Sequence, residues 1–166
     1  MGRSGEKISN VLVYLTPNLV QTTMFIGEYS HNLDDKGRLA VPKKFRTKLA
    51  KGAVITRGLD DCLFLYTKEE WKVLAEKLAN LPFSQANARA FARLMLAGAM
   101  DVVLDKQGRI VIPDYLRTYA DLTKEIIVAG LYNRLEVWNQ QKWREYTTKS
   151  EANKNDIAEQ LGALGI

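Results

Sequence analysis

The chain repeats itself, and a duplication constrains the possible folds more tightly than any other feature of the sequence. Leu33-Asp34-Asp35-Lys36-Gly37-Arg38-Leu39-Ala40-Val41-Pro42 returns as Leu104-Asp105-Lys106-Gln107-Gly108-Arg109-Ile110-Val111-Ile112-Pro113. At this offset of 71 residues Gly27, Arg46 and Thr47 also meet Gly98, Arg117 and Thr118. After one inserted residue Ile55, Gly58, Leu59, Leu63 and Trp71 meet Ile127, Gly130, Leu131, Leu135 and Trp143. Identities spread from Gly27 to Trp71 mark a duplicated structural unit, not a shared short motif.

One copy predicts both. Tyr29, His31 and Leu33 alternate with polar neighbours, and Met100, Val102 and Leu104 repeat that face, so a half-buried strand precedes each motif. Gly37 and Gly108 stand where a tight hairpin needs positive φ, and 39–41 and 110–112 read as the returning strands. Pro42 and Pro113 suit the first turn of a short helix. Third strands are expected at 54–56 and 126–128, and fourth strands at 63–66 and 135–138. Thr67-Lys68-Glu69-Glu70 has the spacing of a capping box. Behind it Trp71, Leu74, Ala75, Leu78 and Leu81 form a helical stripe that Pro82 stops. Ser84 is expected to cap the helix that carries Phe91, Leu94 and Met95 to Gly98 and bridges the repeats. Beyond Thr147 only Ile157, Leu161 and Leu164 could support a weak terminal helix.

A unit of this size cannot bury enough surface alone, whereas two units pairing strands can close one shared barrel-like core. The expected fold class is therefore α+β in one domain. Its parts are an N-terminal extension at 1–23, a first repeat at 28–70, linking helices at 71–98, a second repeat at 99–142 and a helical tail at 143–166.

Charge narrows the function. Twenty-four Lys and Arg against nineteen Asp and Glu give +5, which permits a polyanionic partner. The window from Lys36 to Lys51 holds Lys36, Arg38, Lys43, Lys44, Arg46, Lys48 and Lys51 and no acid. From Gln107 to Leu122, Arg109 and Arg117 are offset by Asp114 and Asp121. Clustered cations beside a turn place donors against phosphates and make binding salt-dependent; a solvated basic surface is the plainer reading.

Asp34 and Arg38 flank one turn, Asp105 and Arg109 the other, close enough for each carboxylate to orient a guanidinium. An oriented fork pairs with guanine in a major groove, at about 1–3 kcal/mol of discrimination, or clamps a phosphate. A turn-stabilising ion pair that touches no ligand fits the same spacing.

Nothing composes an active site. Asp34-Asp35 has no nucleophile or metal ligand beside it and reads as turn capping. The lone His31 and the single Cys62 form no metal site or internal disulfide and read as packed residues. Trp71 and Trp143 read as core. No nucleotide-binding or zinc-protease pattern is present. No catalytic residue, cofactor or metal is expected. No apolar run reaches the length of a membrane span, and a cytoplasmic protein is expected.

Met24-Phe25-Ile26-Gly27-Glu28-Tyr29, the doubled Asp-x-x-Gly-Arg turns and Arg57-Gly58-Leu59-Asp60-Asp61-Cys62-Leu63 together resemble the MraZ family of bacterial transcriptional regulators, double-repeat relatives of AbrB and SpoVT. The resemblance covers nearly everything from Met24 onward and does not extend to residues 1–23. It implies two SpoVT-AbrB-like repeats forming a swapped-hairpin β-barrel with short flanking helices, and a ring-shaped homo-oligomer. It further implies binding to double-stranded DNA at short G-rich direct repeats in the promoter of the division and cell-wall gene cluster. The turns Asp34–Arg38 and Asp105–Arg109 are then the DNA-binding elements. In this reading Arg38 reads or clamps DNA and Asp34 orients it, Lys36, Lys43, Lys44 and Arg46 contact phosphates, and Arg109 with Asp105 acts similarly but less. A sequence-specific, nucleoid-associated repressor is the leading expectation. A protein-interaction module of antitoxin or assembly-scaffold type is the alternative, and salt dependence separates the two.

Overall fold

The computed structural model describes residues 24–166; the N-terminal extension expected at 1–23 lies outside the described residues. The first half runs β1 (Phe25–Asn32), β2 (Arg38–Ala40), a 3-10 turn (Lys43–Phe45), α1 (Arg46–Leu49), β3 (Ala53–Arg57), β4 (Leu63–Thr67) and α2 (Lys68–Ala79). Helix α3 (Ala86–Ala92), continued by a π turn (Arg93–Ala97), leads to the second half. That half repeats the order as β5 (Met100–Val102), β6 (Arg109–Val111), α4 (Asp114–Tyr119), β7 (Glu125–Tyr132), β8 (Leu135–Asn139) and α5 (Gln140–Ala152), followed by α6 (Lys154–Leu161).

Local signals explain most of these boundaries. The Thr67 hydroxyl accepts the Glu70 N–H at 3.2 Å and starts α2, as the capping box predicts. Ser84 does not cap α3. The chain turns about Pro82, whose carbonyl takes the Gln85 N–H at 3.0 Å, so the helix begins a residue later with Gln85 at its N-cap.

The fold is α+β, with an antiparallel six-stranded sheet in the order β1-β7-β8-β4-β3-β5 and a separate two-stranded ribbon of β2 and β6. The halves interdigitate: β1 pairs with β7, β5 with β3, β4 with β8 and β2 with β6. The expected hairpin within each motif is therefore corrected. Between β1 and β2 there is one isolated bridge, Leu33 to Leu39, and β2 takes its strand partner from the other repeat. That exchange lets Leu39 and Ile110, opposite each other and each 1% exposed, seal the core from one side, each burial contributing about 1.5–3 kcal/mol. Among the described residues this pairing closes no continuous barrel.

The halves also align differently from the sequence match in their third strands. Ile55 faces Leu65 as Val128 faces Val137, so Ile55 is the counterpart of Val128, not Ile127. Five residues (121–125) precede Ile126 where three (50–52) precede its counterpart Ala53, and four (131–134) separate Gly130 from Leu135 where five (58–62) separate Arg57 from Leu63. A one-residue slip reverses every side chain. Ile55 and Val128 accordingly share the main core, while Ile127 lies on the opposite face.

The main core gathers between sheet and ribbon around Phe25, Phe45, Ile55, Leu116 and Ile126. Phe25 and Phe45 meet edge to face at 5.1 Å, and Tyr29 meets Phe45 at 5.4 Å. On the other sheet face Cys62, Phe64, Tyr66 and Trp138 pack with Leu78 and Met95, and Trp71 and Trp143 lie against them. Thr56 donates to the Met95 carbonyl at 2.6 Å and ties down the π turn. Cys62 is fully buried and burial pushes its thiol well above its ordinary value, so it stays protonated and unreactive.

His31 is half-buried on β1, not enclosed in the core. Burial, and after it the charge of Arg46, hold its imidazole below the ordinary 6.5. A depressed folded-state value means that the unfolded chain binds the proton first, so this group's contribution to stability is complete above about 6.5 and is lost as pH falls toward the folded value. The thermal midpoint is expected to drop between about pH 7.5 and about pH 5.5, and His31→Val, which installs the residue found at Val102, to drop less. An equal drop in the variant would assign the effect elsewhere.

Candidate nucleic-acid interface

Each Asp-x-x-x-Arg turn is organised by its aspartate. Asp34 Oδ1 accepts the N–H groups of Lys36 and Arg38, both at 2.9 Å, while Oδ2 accepts from Arg38 Nε at 2.6 Å. The Gly37 N–H closes onto the Asp34 carbonyl at 3.0 Å, with Gly37 at φ +74°. This left-handed conformation explains the glycine. The second turn matches: Asp105 Oδ1 accepts from Gln107 and Arg109 N–H groups at 2.8 and 2.9 Å, Oδ2 accepts from Arg109 Nε at 2.8 Å, and Gly108 lies at φ +76°. Hydrogen bonds to the carboxylate, that from the arginine backbone first among them, hold both aspartates below their ordinary 3.8. Both are ionised at neutral pH, when they act only as acceptors.

This arrangement uses the Nε of each arginine and leaves the Nη groups without a hydrogen bond among the described residues. Strand register settles where they sit. Arg38 opposes Val111 and Ala40 opposes Arg109, while Leu39 and Ile110 between them point into the core. Alternation then puts Arg38, Ala40, Arg109 and Val111 on the outer face, with the two arginines diagonal neighbours about 7–8 Å apart at the backbone. Two oriented guanidinium forks thus share one face of a two-stranded ribbon. Val111, 56% exposed, lies between them.

The other basic residues separate into two groups. Lys36 is exposed on the first turn, and Lys43 and Lys44 are exposed on the 3-10 turn after β2. Lys44 Nζ lies 5.1 Å from the Phe45 ring centre and 5.6 Å from that of Tyr29. Arg46 points back into the molecule: its Nε donates to the Val41 carbonyl at 3.0 Å and its guanidinium packs on Gly108 of the other turn. Lys48 is also engaged, donating to the Met24 carbonyl at 2.7 Å. In the second repeat Asp114 is exposed and holds Arg117 at 3.3 Å.

Sequence reasoning passed over Lys106, which is exposed beside Gln107. The first turn carries Asp35-Lys36 and the second Lys106-Gln107, so the second tip is no poorer in cations. Beginning the comparison at Gln107 left this lysine out. Among the described residues no group of His, Cys, Asp and Glu could hold a metal, and no helix is long and apolar enough to cross a membrane.

Comparisons with known proteins agree with the duplication. The family model for MraZ protein matches twice, at residues 24–94 and 95–163. A transcriptional regulator MraZ of Natranaerobius thermophilus is 50% identical over 138 residues, covering 83% of this chain and 96% of the relative. Regulators of the same name from Pediococcus pentosaceus and Clostridium acetobutylicum are each 50% identical over 143 residues, covering 86% of this chain and 100% of the relative. With two copies of the family unit, and half of the aligned residues identical to those of regulators matched over 96–100% of their own length, the chain belongs to the MraZ family of transcriptional regulators.

Proposed function

We propose that the outer face of the β2–β6 ribbon binds double-stranded DNA sequence-specifically, and that the chain thereby represses the promoter of the division and cell-wall gene cluster. The observation that carries the reading is the pair of aspartate-set arginines on one exposed ribbon face. A two-stranded ribbon has the dimensions to enter a major groove, where an arginine fork matches the O6 and N7 acceptors of guanine. Arg38 and Arg109 read or clamp, Asp34 and Asp105 orient them, and Lys36, Lys43 and Lys44 neutralise phosphates. Lys106 joins this set on the second turn. The interleaved sheet and ribbon correspond in this reading to a swapped-hairpin barrel built by repeats at 28–70 and 99–142. The function requires no cofactor, and the protein works in the cytoplasm on the nucleoid.

One ribbon offers little contact area, so several copies in a ring would engage spaced G-rich repeats through raised effective concentration. Support for self-association comes from the C-terminal arm, where Ile157, Leu161, Leu164 and Ile166 are exposed.

The test is a titration of the whole chain against a labelled duplex spanning the DNA upstream of its own gene, at salt from roughly 50 to 200 mM. Affinity is expected to fall steeply, with a log–log slope of about −0.9 for each phosphate neutralised, and a scrambled duplex to bind more weakly. Absence of binding at low salt would overturn the reading in favour of a protein-interaction module of antitoxin or scaffold type.

A further inference from the structure

Arg46 and Arg117 occupy the same place in the two repeats, four residues after Pro42 and Pro113. Neither lies against its own turn. The Arg117 guanidinium fills the space where a Cβ on Gly37 would stand, and the Arg46 guanidinium fills the corresponding space at Gly108. The backbone crosses in the same sense: the Ile112 N–H donates to the Gly37 carbonyl at 2.8 Å, and the Val41 N–H to the Gly108 carbonyl at 3.0 Å. Each reading turn is thus backed by a planar cation and a peptide N–H from the opposite repeat.

We propose that Arg117 is the positioning residue for the Asp34–Arg38 turn and Arg46 the positioning residue for the Asp105–Arg109 turn, so that each repeat sets the DNA-contacting loop of the other. The inference rests on the DNA reading above only for its functional consequence; the crossed support is a property of the fold. The physical need for support lies in the glycines. Gly37 and Gly108 must hold positive φ for the aspartate to reach the arginine Nε, yet glycine is the residue least confined to any one conformation. A guanidinium plate lying directly behind the Cα limits that freedom. Both plates are themselves restrained. Arg46 donates through Nε to the Val41 carbonyl, and Arg117 bonds Asp114 through Nη2 while its buried Nε has no partner among the described residues. Leaving a buried donor unpaired is costly, so the packing on Gly37 and the bond to Asp114 together offset that cost. Lysine could not replace the plate, because its ammonium is a point charge on a flexible stem.

Hydrogen–deuterium exchange on the full chain decides the matter. Arg117→Met is expected to speed exchange of the Lys36–Arg38 amides about tenfold, the scale of freeing one ordered residue, with the Gln107–Arg109 amides unchanged. Arg46→Met is expected to do the reverse. Arg117→Lys, which keeps charge and stem, should give the same crossed pattern and serves if the methionine variant does not fold. Exchange that rises in the mutated residue's own repeat, in both turns equally, or in neither, overturns the proposal. With the upstream duplex, Arg117→Met should lose about tenfold in affinity. Should Arg38→Ala bind DNA as well as the unsubstituted chain, the DNA reading fails, and the crossed exchange pattern alone upholds or overturns the positioning role.

Discussion

Arg38→Ala is expected to abolish retention of the upstream duplex in a gel-shift assay while leaving thermal unfolding and assembly state unchanged. The side chain is partly exposed, and the ion pair with Asp34 bridges two groups on the surface, so its removal costs the fold little. Asp34 keeps both backbone N–H bonds, and the turn stays closed through Gly37. What disappears is the fork. A guanine pair of this kind carries about 1–3 kcal/mol, and in a multivalent assembly the loss recurs at every engaged copy. Arg109→Ala should produce a loss of the same order, because the second turn has the same geometry and its own lysine. Retention of DNA by Arg38→Ala at the level of the unsubstituted chain would remove the assignment.

Phe45→Ala is expected to lower stability by about 3–5 kcal/mol, much of the 5–15 kcal/mol typical of a single domain. Phe45 is fully buried and packs edge to face with both Phe25 and Tyr29, joining the element after β2 to β1. Because β1 depends on β7 and β2 on β6, the damage should not stay in the first repeat. Chemical denaturation followed by tryptophan fluorescence, which reports on Trp138 and Trp143 of the second half as well as Trp71, and by circular dichroism should give one coincident transition, shifted as a whole. Two separate transitions would contradict the interdigitated core.

The duplication made the order of elements legible from residues alone, since turn glycines, prolines and alternating strands recur at fixed positions. Partner choice was less accessible. Alternation says that 39–41 is a strand but not whether it pairs with β1 or with the other repeat; that choice is made by Leu39 and Ile110 burying together. The shift in the third strands escaped notice because Ile127 is as apolar as Val128, so either match looks acceptable until the register is seen. At the candidate site, the geometry of Asp34 and Arg38 followed from their spacing. The direction of Arg46 did not, because a count of cations cannot separate one that faces solvent from one wedged behind a glycine.

The most direct measurement places a photo-crosslinker on the ribbon face itself. The only native thiol, Cys62, is buried, so a benzophenone can be attached at Val111→Cys, between the two arginines, or at Val73→Cys on the outside of α2, both exposed positions. Irradiation with the upstream duplex is expected to cross-link DNA from Val111→Cys and not from Val73→Cys; cross-linking from Val73→Cys with none from Val111→Cys would contradict the account.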